Sequence, residues 1–192
     1  WQREHAPLVN PQADTTTQQQ AANGTVPQAA KQAEMPQESG FHLQKAQRIH
    51  ARTDIFQADI DTMGGDLRHL ELLKHRDSIQ ADKNFILMDD SAPPAVYVAQ
   101  TGLIGADLPT HKSIFTSAAN DYKMQDGNNQ LEVKLNWKND NGLQVEKLYT
   151  FHRGSYVVDV TYQIHNATTS AITPSVYYQI VHDIDSNQAS RM

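Results

Sequence analysis

The chain has 192 residues, 22 of them acidic and 16 basic, for a formal net charge of −6. That length fits one domain plus a tail, and about 150 ordered residues bury roughly two-thirds of their unfolded surface, enough for a real core. The negative balance argues against nucleic acid and against an electrostatic membrane anchor, and the absence of cysteine excludes disulfides, thiol catalysis and thiolate metal sites.

No apolar run is long enough to cross a bilayer as a helix, and no basic segment followed by an apolar one opens the chain as a signal peptide would. The first residue is Trp1 and not Met, which suggests a piece cut from something longer. Residues 1–40 are rich in Gln, Ala, Thr, Asn and Pro, with Leu8, Val9, Val26 and Met35 as their only large apolar residues after Trp1. Such a segment cannot bury enough surface to offset its chain entropy, so it is expected to be a disordered, flexible linker. Pro27 and Pro36 leave little room for a helix over Ala29 to Met35.

Order is expected from Phe41, with the domain running over 41–192. Arg48 to Ala51, Ile55 to Ile60 and Leu67 to Leu72 read as strands. Gly64-Gly65 supplies the turn between the last two, because glycine adopts positive φ without penalty. Phe85 to Met88 and Val96 to Thr101 are short strands separated by Pro93-Pro94, Gly102 to Pro109 is a loop, and Lys112 to Asn120 fits either a strand or a helical turn. The strongest pattern lies in Leu131 to His165. Leu131, Val133, Leu135 and Trp137 alternate with Glu132, Lys134, Asn136 and Lys138, a period of two with one buried face. Asn141-Gly142 is a hairpin signal, the chain returns through Gln144 to Phe151, and Arg153-Gly154 turns it again. Tyr156, Val158, Val160, Tyr162 and Ile164 then alternate with polar residues and extend the predicted core face. Val176 to Val181 is a final strand. Short strands at this spacing, with no helix beyond about two turns, define an all-β antiparallel β-sandwich.

The nine histidines invite a metal reading. His50 and His111 stand alone, His69 and His75 flank a strand end, and neither H-x-H nor H-E-x-x-H occurs. His182-Asp183-Ile184-Asp185 is the best local cluster, although solvated loop residues explain it as well. Asp89-Asp90 reads as turn chemistry, and Asp59 with Asp61 as the wet face of a strand and not an acid/base dyad. Gly102-Leu103-Ile104-Gly105 has no phosphate-cradle spacing. Trp137 and the tyrosines Tyr149, Tyr156, Tyr162, Tyr177 and Tyr178 either stack on a sugar or fill the core. Trp137 is the candidate ligand or partner surface. No catalytic, cofactor-binding or metal residue is assigned, and no cofactor is expected.

Beyond these patterns, several stretches resemble a known family. They are Thr53 to Phe56, Ile60 to Leu67 with its Gly-Gly turn, Val96 to Leu103, Asn129 to Val133, and Tyr149 to Val160. In that order they resemble the periplasmic domain of the YidC family of bacterial membrane protein insertases, over most of residues 48–167. Trp1-Gln2 resembles the end of the family's first transmembrane segment, and the tail behind it the family's variable linker. The resemblance implies a β-supersandwich related to galactose mutarotase-like sugar-binding proteins. It implies a place on the periplasmic side of the inner membrane, anchored by segments absent here. It also implies a non-enzymatic part in inserting and folding nascent membrane proteins, alone or with the Sec translocon. The family's domain continues past Met192, so the sandwich is expected to be incomplete and to expose unpaired edge. No residue of the insertase core falls in this chain. The alternative expectation is a carbohydrate-binding or aldose-epimerase-like sandwich, which needs an acid and a base facing a sugar-sized cleft.

Overall fold

The protein is described by a computed structural model, which covers residues 43–92 and 95–182. The expected linker at 1–40, Pro93-Pro94 and the acidic part of 182–185 lie outside the described residues. Among the described residues there are eleven strands: β1 (Arg48–Arg52), β2 (Phe56–Asp61), β3 (Asp66–Arg76), β4 (Asn84–Ala92), β5 (Ala95–Ile104), β6 (Thr116–Ser117), β7 (Asp121–Lys123), β8 (Gln130–Lys138), β9 (Leu143–His152), β10 (Val158–Asn166) and β11 (Ser175–His182). They form a seven-stranded sheet in the order β11-β5-β4-β3-β2-β1-β7 and a four-stranded sheet in the order β10-β9-β8-β6. All pairings are antiparallel except β1 with β7. The all-β sandwich expected from strand spacing is the fold observed.

Each sheet has one apolar face, and the two faces meet. Ile49, Phe56, Ile60 and Leu70 of the larger sheet pack with Val133, Leu135, Tyr149 and Phe151 of the smaller one. Fully burying one such side chain stabilises the fold by about 1.5–3 kcal/mol, so this interface is the main source of stability. A second cluster of Leu103, Leu108, Leu143 and Val145 closes one end.

The central meander follows its period-two pattern closely. In β8 Val133 and Leu135 are buried while Glu132, Lys134 and Asn136 face water, and β9 pairs with it without a break from Gln130↔His152 to Lys138↔Gln144. Its turn works differently from the expected Asn-Gly geometry. Only Gly142 has positive φ there (99°), and the Asn139 side chain does the rest by accepting N–H bonds from Asn141 and Leu143. In the β2–β3 turn both Gly64 (φ 72°) and Gly65 (φ 62°) are left-handed, as expected, within a four-residue connection between the paired Asp61 and Asp66.

Several expectations need correction. Tyr156 lies before β10 and is 47% exposed, so it is not part of the core face; it caps the core edge-on to Phe56 at 5.4 Å. Lys112 to Asn120 contains only the short β6 and a bridge from Ile114 to Met63. β5 extends to Ile104, shortening the expected loop. Asp89 and Asp90 lie inside β4 and not in a turn. Asp61 is fully buried although it keeps the outward register of Asp59: Ile60 stays inward with Phe56 and Ala58, the register shift falls on β3 at Arg68, and the residues leading into β1, with Arg48, cover Asp61. The Asp61 carboxylate accepts N–H bonds from Ala46 and Met63 and pairs with Arg48 Nε at 3.1 Å, which satisfies the charge that burial would otherwise penalise.

Candidate functional site

The two sheets do not close on one side. There β10 ends the small sheet and β11 ends the large one. Between them lies a cleft of about 370 Å³, walled by Leu67, Leu70, Met88, Val158, Val160 and Ile180. Tyr178 reaches across it, donating its hydroxyl to the Val160 carbonyl at 3.3 Å, yet stays 60% exposed. The walls follow from the strand register: alternate residues of β10 and β11 face the cleft, and a β-strand places every second side chain on one face.

Gln100 and Gln179 touch the cleft and lead from it into a buried polar chain along the large sheet. Gln179 donates to Gln100 Oε1 at 2.7 Å, and Gln100 donates to Asp66 Oδ2 at 2.7 Å. Arg68 Nη2 donates to the same oxygen at 3.0 Å. Asp66 and Arg68 are both buried, and burial pushes the Asp66 carboxyl up to about 6 against the pull of Lys147 and Arg68. Arg68 also faces Asp90, which pairs with Arg48 on β1.

Opposite them stands Lys147 of β9. Its Nζ donates to Gly64 O at 3.0 Å, in the β2–β3 turn, and to Thr101 O at 3.3 Å, on β5 of the facing sheet. Burial brings its ammonium down to about 7, opposed by the charge of Asp66. Tyr149, two residues on, donates to Gly65 O at 2.6 Å, and its phenol is pushed up by burial. Tyr162 is pushed up for the same reason and shares a hydrogen bond with Thr101 Oγ1 at 2.5 Å.

Of the residues singled out in sequence, the structure gathers Tyr149, Tyr156 and Tyr178 at the cleft. Tyr177 is placed elsewhere, its hydroxyl bonded to the His111 ring at 2.5 Å. Trp137 is also away from the cleft. It is half-buried, packs against both core clusters, and lends an edge to a groove of about 490 Å³ whose other lining residues include Asn136, Lys138, Glu146, Gln163 and His165. The histidines form pairs: His50 with Asp59 at 2.7 Å, His69 with Asp89 at 3.6 Å, and His152 with Asp159 at 2.7 Å. Among the described residues no group of three or more metal-ligating side chains comes together.

Sequence reading missed Lys147, Asp66, Arg68 and Gln100. For Lys147 the signal was present: it shares the inward register of Val145, Tyr149 and Phe151, a charged residue on an apolar face. For the others it was weak, because their burial depends on the bulged, covered part of the large sheet.

The fold and the cleft define a two-sheet β-sandwich module with an apolar opening beside a buried polar chain. The chain belongs to the YidC periplasmic domain family, whose model matches residues 48–192. It is 52% identical, over its whole length, to the membrane protein insertase YidC of Methylobacillus flagellatus, of which the match covers 36%. It is 37% identical to the YidC of Nitrosospira multiformis, with 95% of this chain and 36% of that protein covered. A third relative, the YidC of a Janthinobacterium species, is 43% identical over 72% of this chain and 24% of its own. The chain thus spans about a third or less of the length of these relatives.

Proposed function

We propose that this chain is the periplasmic, non-catalytic part of a membrane protein insertase that helps inner-membrane proteins insert and fold, alone or beside the Sec translocon. The family match over residues 48–192 carries this reading. The relatives are membrane protein insertases, which suggests the activity, and the apolar cleft between β10 and β11 supplies a surface on which an apolar polypeptide segment can be held. The module lies on the outer side of the inner membrane, with residues 1–40 as the tether. In the full-length protein, a photo-crosslinking residue in place of Tyr178 or Ile180 is expected to trap nascent inner-membrane proteins. Crosslinks indistinguishable from those of a probe at exposed Ile79, on the β3–β4 loop, would refute a role for the cleft. Co-purification of Sec components with the full-length protein, lost on deleting residues 43–182, tests the Sec association.

The same reading holds that the domain extends past residue 192. The outer edge of β11 supports it, since no strand among the described residues pairs with it and exposed strand edges are normally covered. The 192-residue chain is then expected to bind ANS and associate at micromolar concentration, while a chain continued to the end of the domain is monomeric.

A second reading is supported by the groove beside Trp137. Its amides, Lys138, Glu146 and His165 are the kinds of groups that hydrogen-bond a carbohydrate. Titration with a sugar panel tests it: millimolar or tighter binding lost in Trp137→Ala favours it, and no binding to any sugar removes it.

A further inference from the structure

Lys147 is the most deeply buried cation of the small sheet, at 0% exposure, and it sits where the two sheets face each other. Its hydrogen-bond partners are the neutral carbonyls of Gly64 and Thr101, so its tie runs from β9 of one sheet to the β2–β3 turn and β5 of the other. Three aromatic rings surround the ammonium, with centroids 5.4 Å (Tyr149), 5.7 Å (Tyr162) and 6.0 Å (Phe115) away. No carboxylate among the described residues makes an ion pair with it. The charged group that acts on it is Asp66 of β3, which Arg68 holds in turn. The other titratable groups are Tyr149 on its own strand, Tyr162 on β10, and beyond them Tyr177 and Tyr178 on β11. His111 is turned to Tyr177 through its ring nitrogen.

A cation held between sheets by neutral acceptors and ring faces is held against its hydration, and a proton lost from it removes that conflict while leaving an amine that still donates to both carbonyls. We propose that Lys147 makes the seam between the two sheets a pH-responsive clasp, loosest near neutrality and tighter in alkaline surroundings.

The direction follows from proton counting. Unfolded, the lysine keeps its proton up to its ordinary 10.5; folded, it gives the proton up near 7. Between these values the unfolded chain binds more protons, so stability rises with pH. Asp66 acts on the other flank. Folded, it keeps its proton up to about 6 against 3.8 unfolded, so its contribution falls as pH rises through that range. Asp77 and Asp89, both held below the usual carboxylate value, oppose it there, and the alkaline flank is therefore the clean one. Tyr149 and Tyr162 hold their protons throughout that flank and act only above pH 10.

The test is equilibrium unfolding, in guanidinium at pH 7.0, 8.0 and 9.5, of the chain continued to the end of the domain. The folded-to-unfolded ratio is expected to grow about a hundredfold, close to tenfold per pH unit over most of the interval. In Lys147→Met, which keeps the bulk and removes the titrating group, that growth is expected to vanish. A wild-type ratio that stays level, or a rise that survives in Lys147→Met, overturns the proposal. Should Lys147→Met not fold, the titration of Lys147 in the wild-type chain decides. With ¹³C-labelled lysine, and Lys147→Gln to assign the signal, its Cε resonance is expected to titrate below pH 9. A midpoint at or above 9 overturns the clasp.

Discussion

Replacing Gly64 by Ala tests how the β2–β3 turn is built into the rest of the sandwich. Gly64 has φ +72°, which for alanine costs about 1 kcal/mol. A Cβ there would also stand 2.4 Å from the His111 carbonyl oxygen and 2.7 Å from His111 Cα, both backbone atoms that cannot rotate away. The segment 110–115 must therefore shift. It is held to the turn by Gly64 N to Ser113 O (2.7 Å) and Phe115 N to Thr62 O (2.8 Å), and the turn is held to the other sheet by Lys147 through Gly64 O. Weakening two or three such bonds adds about 1 kcal/mol each, for a total of about 3–4 kcal/mol. Gly154 is the matched control. Its φ is +67°, and a Cβ there meets nothing within 4 Å, so Gly154→Ala should cost only the conformational part, about 1 kcal/mol. In guanidinium unfolding the midpoint of Gly64→Ala should fall by roughly 0.5–1 M more than that of Gly154→Ala, with an unchanged slope. Equal losses in the two variants would refute the reasoning, since the backbone clash would then carry no weight.

Other expectations follow from single contacts. Phe56→Ala removes a ring packed edge-on against Phe151 and Tyr156 and should destabilise by about 3–5 kcal/mol in the same assay; less than 1 kcal/mol would mean the ring is not a core element. Tyr149→Phe leaves the Gly65 carbonyl without its 2.6 Å donor and should cost about 1–2 kcal/mol, whereas an unchanged midpoint would show that the bond contributes nothing. The phenols of Tyr149 and Tyr162 are held above 10, so the stability they supply is present below pH 10 and lost as pH rises past it. Alkaline titration followed at 295 nm should show these two ionising only together with unfolding, and early ionisation of all seven tyrosines in the folded chain would contradict their burial.

The sequence by itself determined the fold class and the family, because both rest on local signals. Period-two alternation in Leu131 to Ile164 and glycines at the turns are properties of short stretches, and β8, β9 and most of β10 appeared where the alternation placed them. The tertiary structure alone decided which polar residues went inside. Asp61 belongs to the wet face by strict alternation, and the residues leading into β1, with Arg48, cover it. Asp90 was assigned to a turn, and the length of β4 carried it into contact with Arg48 and Arg68. Tyr156 continued an apolar pattern on paper, but the turn before β10 ran longer and left it at the rim. Lys147 stood in an apolar register all along, yet only the carbonyls of Gly64 and Thr101, 83 and 46 residues earlier in the chain, make that position tolerable for an ammonium. The physical reason is the same in each case. A strand's hydrophobic face is written in adjacent residues, whereas the partners that satisfy a buried charge arrive from distant parts of the chain and exist only once the sheets have met.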